Sequence, residues 1–390
     1  MVIAVGLSVR FPITSVSPLL ADIAQAYHLS APGISVLSAI PVLLFGLASP
    51  LAPLLVSRLG LERAITVLLA ALALATLLRP LSTPTLFIGT IIVGATIALL
   101  GILAPQIIRH ALPRRGGFWT GIYTTSFGVS AAAGAAVSVP LFHLLDDQVG
   151  AALAAWGIPL LIALGLVIGF APRLGLGLSA GPQRGGAPAE SILRARGLWA
   201  VTGFFGCQAL IYFSLTAWLP TIAVDRGMEP GHAGLLLAWL SVAGLPASLL
   251  APTLAARPRL RTGLIGGIAA LSALGLIGLA FGPVPLAPLM VAVLGIAQSA
   301  AFGIAIALIV FTAPSVAQTA SFSAISQGVG YAVAATGPLL LGLLAQAGIP
   351  WSVILVMLTV ASLGELCFGI AGSRASQGPS RGAAPRPPSE

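Results

Sequence analysis

Twelve stretches of roughly 20 or more mostly apolar residues follow one another along this chain, and a stretch of that length is what crosses a hydrocarbon core about 30 Å thick. They cover 1–27, 32–57, 62–81, 84–110, 117–141, 150–171, 197–224, 231–256, 261–281, 285–312, 316–345 and 349–373. In lipid a backbone must satisfy its own polar groups, so such stretches fold as helices. Only 7% of residues are charged, against about a quarter in a soluble domain, so water cannot be the main solvent. The reading is an all-α membrane protein of twelve transmembrane helices, called spans 1 to 12 below.

The charges report topology. The 18 basic residues are all arginine. Fifteen of them, Arg58, Arg63, Arg109, Arg114 and Arg115 among them, fall on one side of the spans, whereas Arg79 and Arg226 fall on the other together with Asp22, Asp146, Asp147, Asp225 and Glu229. The positive-inside rule then puts both termini in the cytoplasm of a multi-pass protein of a bacterial plasma (inner) membrane. In a soluble chain the net charge of +9 would point to nucleic acid; here it does not. The absence of Lys excludes a Walker A loop and with it a built-in ATP motor. The N-terminus has neither a basic n-region nor a small-residue cleavage site, so it reads as span 1, beginning at or near Met1, and not as a signal peptide. Cys207 and Cys367 lie inside spans, as small apolar packing residues do.

An internal repeat sets the architecture. Ala48 to Arg58 in span 2 aligns with Ala247 to Arg257 in span 8, with seven of eleven positions identical. Arg10 to Pro18 in span 1 aligns with Tyr212 to Pro220 in span 7, keeping Phe, Thr and Pro in register, and Ser126 to Val129 in span 5 aligns with Ser326 to Val329 in span 11. A repeat of six spans preserves orientation, so two six-helix halves, 1–171 and 197–373, are related by an axis along the membrane normal, as in the major facilitator fold. The Gly/Pro-rich segment 172–196 reads as a cytoplasmic linker, and 374–390, rich in Pro, Gly, Ser and Arg, as a disordered cytoplasmic tail.

Arg10 is the residue that bears most on function. At 1.5 Å per residue from a helix start at Met1 it lies about 13 Å along the axis, close to the middle of the core. A cation at that depth costs from about 2.5 to more than 10 kcal/mol unless it faces a cavity or a partner. No acid lies at matching depth in spans 1, 4, 5, 7, 8, 10 or 11, which leaves an anionic or electron-rich ligand. The bland alternatives are bonds to carbonyls freed by Pro12, or snorkelling to the surface. Pro12, Pro18 and Pro220 remove backbone donors within spans 1 and 7 and are gating or kink candidates. Thr14 and Thr216 stand ready to bond near them. Tyr123, Gln208, Tyr212, Gln298, Gln327 and Tyr331 form a second polar layer, for which interhelical hydrogen bonding is the alternative. Glu365 is the one acid well inside a span; it is a proton-coupling candidate, although its place on the last span favours a structural or pairing role. His28, His110, His143 and His232 lack metal-ligand spacing and no nucleophile pairs with a base, so neither metal, cofactor nor enzyme chemistry is expected.

These motifs resemble the cyanate permease and 2-nitroimidazole transporter family of major facilitators. The likeness rests on Arg10-Phe11-Pro12-Ile13-Thr14-Ser15-Val16-Ser17-Pro18-Leu19-Leu20, on Tyr212 to Pro220, on Gly121-Ile122-Tyr123, and on Ser326 to Tyr331 followed by Gly337-Pro338. It covers nearly the whole chain and implies transport of small nitrogenous or anionic compounds, with Arg10 as a ligand contact. Two features depart from the pattern. The loop Ser57 to Arg63 lacks the Asp that the wider superfamily has before Arg, which weakens a generic gating latch, and the N-terminus is several residues shorter than the family's.

The expectation is a monomeric secondary active transporter of a small polar or anionic solute, working by alternating access around a midplane site lined by spans 1, 4, 7 and 10, with protons as an optional coupling partner. The competing readings are proton-driven drug efflux and, from another class, a non-transporting membrane sensor.

Overall fold

The structure is a computed structural model that describes residues 2–170 and 192–377. The expected linker up to residue 191 and the expected tail from residue 378 lie outside the described residues. Residues Arg374 and Ala375, expected in the tail, instead close the last helix, Trp351–Ala375.

Among the described residues all regular structure is helical. Ten segments are long and apolar enough to cross a membrane, and they are spans 3 to 12. Their helices are Leu61–Leu78, Thr83–Ala111, Gly116–Leu144, Val149–Ala155 continued by Gly157–Phe170, Leu198–Asp225, Pro230–Ala255, Pro258–Phe281, Ala287–Thr312, Thr319–Gln346 and Trp351–Ala375. On spans 6 and 12, Ile158, Ile162, Val360 and Leu363 are each 60% exposed or more. Such surface would aggregate in water, whereas lipid tails cover it.

Spans 1 and 2 are not the continuous helices expected. Span 1 runs Val2–Ser8, breaks at Val9 and Arg10, resumes as Phe11–Thr14, passes through a 3-10 turn at Ser17–Leu19 and ends as Leu20–Ala26. Pro12 cannot donate to the carbonyl four residues back and its ring crowds that carbonyl, so the helix stops and restarts with proline in the first turn. Pro18 falls in the 3-10 turn. Ser130 of span 5 repairs the first break: its Oγ accepts from the backbone N–H of Arg10 at 3.2 Å and of Phe11 at 2.9 Å, and donates to the Leu7 carbonyl at 2.6 Å. Span 2 is likewise divided, into Ala31–Leu47 and Leu51–Leu59, with Pro50 at the junction. Pro220 behaves differently, because span 7 stays helical straight through it. The sequence repeat is therefore not a conformational repeat at this position.

Small residues bring the halves together. Carbonyl oxygens of span 8 lie where side chains at Gly117 and Gly121 of span 5 would stand, those of Pro252 and Leu249 respectively; without hydrophobic force between helices in lipid, such close backbone approach is what holds them. Thr124 Oγ1 donates to the Ser248 carbonyl at 2.7 Å, and the Thr125 and Ser248 hydroxyls meet at 2.9 Å. Gln327 Nε2 of span 11 donates to the Gly101 carbonyl of span 4 at 3.3 Å, and Arg109 donates to the Ala313 carbonyl. Among the described residues all the hydrogen bonds between halves lie towards the arginine-rich ends of the spans, so the molecule is closed on that side.

Candidate functional site: the central cavity

The inter-half contacts end at a cavity of about 90 Å³. Its walls come from span 1 (Arg10), span 5 (Thr124, Phe127, Gly128, Ala131), span 7 (Gln208, Ala209, Tyr212, Phe213), span 8 (Ser241, Leu245, Ser248), span 10 (Gln298, Ser299, Phe302) and span 11 (Tyr331). Span 4, expected in the lining, supplies none of these residues. The pairing of span 5 with span 8 through small residues carries both of them into the wall instead. Gln208, Gln298 and Tyr331 lie ten to fourteen residues from the arginine-rich ends of their helices; at 1.5 Å per residue that is about 15–21 Å, the middle of the membrane.

The break in span 1 places Arg10. Its guanidinium carbon stands 4.5 Å from the centre of the Phe127 ring, a cation–π contact that holds the charge over the cavity wall without neutralising it. Its Nε is buried and has no hydrogen-bond partner. The ion pairs among the described residues are His143 with Asp147 and His232 with Glu229, both exposed, so no carboxylate offsets Arg10. The charge is left available to whatever enters.

Opposite the arginine the wall is amide and aromatic. Gln208 Nε2 donates to the Gln298 carbonyl at 3.4 Å, and Gln298 Nε2 donates to Ser272 Oγ at 2.9 Å and to Glu365 Oε1 at 3.3 Å. Both Gln208 and Gln298 therefore have committed amide nitrogens, while their buried Oε1 atoms have no partner. Around them Phe302 lies 5.4 Å from Phe127, and Tyr331 lies 5.1 Å from Phe205 and 6.0 Å from Phe213, centre to centre. The cavity thus offers one cation, two amide side chains, two tyrosines and flat ring faces. That set suits a small planar solute carrying negative charge or an electron-poor ring.

Of the residues picked out from the sequence, Arg10, Gln208, Tyr212, Gln298 and Tyr331 meet in this cavity. Thr14, Tyr123, Thr216 and Gln327 do not line it. Thr14 and Thr216 return their hydroxyls to the carbonyls of Arg10 and Phe213, at 3.2 and 3.0 Å. Tyr123 is buried behind Phe127, their ring centres 6.4 Å apart, and Gln327 is spent on the contact between halves and on Ser323. Glu365 is fully buried although its neighbour Leu363 is 61% exposed. The last span turns this one acid inward, onto the cavity residue Gln298. Phe127, Phe213 and Phe302 had no distinguishing signal, since a phenylalanine in an apolar span reads the same whether it packs or lines a site.

Two like-oriented helical halves that close around a mid-depth polar cavity define a multi-pass membrane transporter. The sequence profile of the Major Facilitator Superfamily matches residues 2–335, and the chain belongs to that superfamily and, within it, to the cyanate permease and 2-nitroimidazole transporter family. It is 33% identical to the uncharacterized transporter YycB of Bacillus subtilis (96% of this chain, 92% of that one) and 31% identical to the 2-nitroimidazole transporter of Escherichia coli (96% and 94%). Identity to the Escherichia coli cyanate transport protein CynX is 25%, over 88% of each chain. In fold it is similar to the fucose transporter FucP in its outward conformation, with a TM-score of 0.72 at 16% identity, covering 94% of this chain and 97% of that one.

Proposed function

We propose that this chain carries a small planar solute, anionic or nitrogen-rich in the manner of cyanate or a nitroimidazole, across the bacterial inner membrane. The central cavity opens alternately to either side as the halves rock about it, and Arg10 is the charge anchor. The observation that carries the reading is the Arg10 guanidinium, held over Phe127 at 4.5 Å with its Nε unpartnered and no carboxylate beside it. The ligands named for two relatives, 2-nitroimidazole and cyanate, share a small flat electron-delocalised shape, which is what one cation and ring faces recognise. The arginine-rich side, closed in this structure, is the cytoplasmic one by charge bias, so this state is the one that exchanges solute with the opposite side. Protons couple through Glu365, which reaches the cavity through a single amide, that of Gln298. The protein works as a monomer, since each chain holds a complete cavity between its own halves.

The test is uptake of labelled cyanate and 2-nitroimidazole into proteoliposomes, with and without an imposed pH gradient. Accumulation in protein-containing vesicles above protein-free ones is the expected result. Binding without flux would make the protein a sensor, and net extrusion of the same solutes would make it an exporter.

A further inference from the structure

A second buried arginine lies outside the central cavity. Arg79 sits in the 3-10 turn Arg79–Leu81 after span 3 and is 1% exposed. The charge pattern puts it at a membrane surface. The structure instead folds it inward, where Nη1 donates to the Pro12 carbonyl at 2.9 Å, one of the groups exposed by the break in span 1. Its other two nitrogens, Nε and Nη2, are buried and have no acceptor among the described residues. Those two nitrogens form one edge of the guanidinium, the fork that matches a planar oxyanion with two parallel bonds.

Arg79 lines a cavity of about 60 Å³ between spans 1, 2 and 4, walled also by Pro12, Val16, Leu37, Thr90 and Val93 among others. A single water needs roughly 10–15 Å³, so a three- or four-atom ion fits. No residue is shared with the lining of the central cavity. Thr90 has already given its proton to the Leu86 carbonyl at 2.7 Å, and the remaining wall is apolar. The site therefore holds one positive charge and one donor edge, enough for a monovalent, weakly hydrated anion and too little for phosphate or sulfate. Its frame is fixed: Tyr27 Oη donates to the Pro80 carbonyl at 2.7 Å and Thr85 Oγ1 to the Arg79 carbonyl at 3.3 Å. Span 4 presents Gly89 to the Arg79 Cβ, where a side chain would collide.

We propose that Arg79 and this cavity form a second binding site, for a small planar monovalent oxyanion of the nitrate or formate kind, separate from the central cavity of Arg10. The inference does not depend on what the central cavity carries.

The experiment follows the melting temperature of the purified full-length chain as sodium formate replaces sodium gluconate, an ion too bulky for the cavity, at constant ionic strength. A saturable rise is expected in wild type and should persist in Arg10→Ala, which removes the charge anchor of the central cavity. In the double variant Arg10→Ala/Arg79→Gln it should vanish. Added to Arg10→Ala, Val93→Phe fills the cavity while leaving the Arg79–Pro12 bond in place, and it should displace the half-effect concentration upward by at least about tenfold; it decides the matter should Arg79→Gln fail to fold. No rise in wild type, loss of the rise in Arg10→Ala, or an undiminished rise in Arg10→Ala/Val93→Phe would each overturn the proposal.

Discussion

Gln298 donates its side-chain amide to the Glu365 carboxylate across 3.3 Å, and this bond joins the acid of the last span to the wall of the central cavity. A buried carboxylate on an outer span is otherwise hard to explain. Removing it would spare lipid-facing packing, yet it sits at zero exposure two residues from the lipid-facing Leu363. Gln298 gives its amide protons to Glu365 and to Ser272 at 2.9 Å, and it lines the cavity. The carboxylate thereby fixes the orientation of a residue of the cavity wall.

Glu365→Gln keeps the shape and removes the titratable charge. Downhill exchange of solute across proteoliposomes should persist, whereas accumulation driven by an imposed pH gradient should fall to the level of exchange. Equal accumulation in variant and wild type would reduce Glu365 to an orienting partner of Gln298.

Phe127→Leu removes the ring under Arg10 and leaves an apolar side chain of similar reach. The cation–π contact is of the order of 0.5–2 kcal/mol, so solute binding should weaken by roughly 2- to 30-fold as the guanidinium loses its fixed position. Calorimetric titration against wild type measures it. Affinity unchanged by the substitution would mean that Arg10 is positioned by its backbone alone, through Ser130.

Gly121→Val places two methyl groups where the Leu249 carbonyl now lies. Helix contacts of this kind are rigid on the scale of a methyl group, so closure on the arginine-rich side should fail while the separate halves remain folded. Cysteine pairs introduced on spans 5 and 8 near their arginine-rich ends should crosslink in wild type and lose most of that crosslinking in the variant. Crosslinking that survives would show that span 5 can shift without cost.

How much of this was legible in the sequence depends on what each residue spends its bonds on. Spans 3 to 12 followed from hydropathy, because lipid leaves a chain few alternatives to a helix. The breaks in spans 1 and 2 were marked by Pro12 and Pro50, but Pro220, which aligns with Pro18 of the 3-10 turn, breaks nothing in span 7; proline weakens a helix locally, and tertiary partners decide the rest. For span 1 the partner is Ser130, more than a hundred residues away in sequence. Arg10 stood out because a charge in lipid needs a reason. Gln208 and Gln327 looked alike, and only packing separates the one in the cavity from the one spent between the halves. Arg79 was read as a surface charge, since its position at the end of span 3 carried no hint that span 1 would break and offer it a carbonyl.

The central claim is that the unpaired charge of Arg10 anchors the solute, and the most direct measurement is the dissociation constant for cyanate and for 2-nitroimidazole in wild type, Arg10→Lys and Arg10→Ala. A hydrogen bond to a charged group contributes about 1.5–3 kcal/mol, so Arg10→Ala should weaken binding by roughly 10- to 150-fold. Arg10→Lys, which keeps the charge without the flat fork, should fall between the two. Equal affinity in all three proteins would contradict the account.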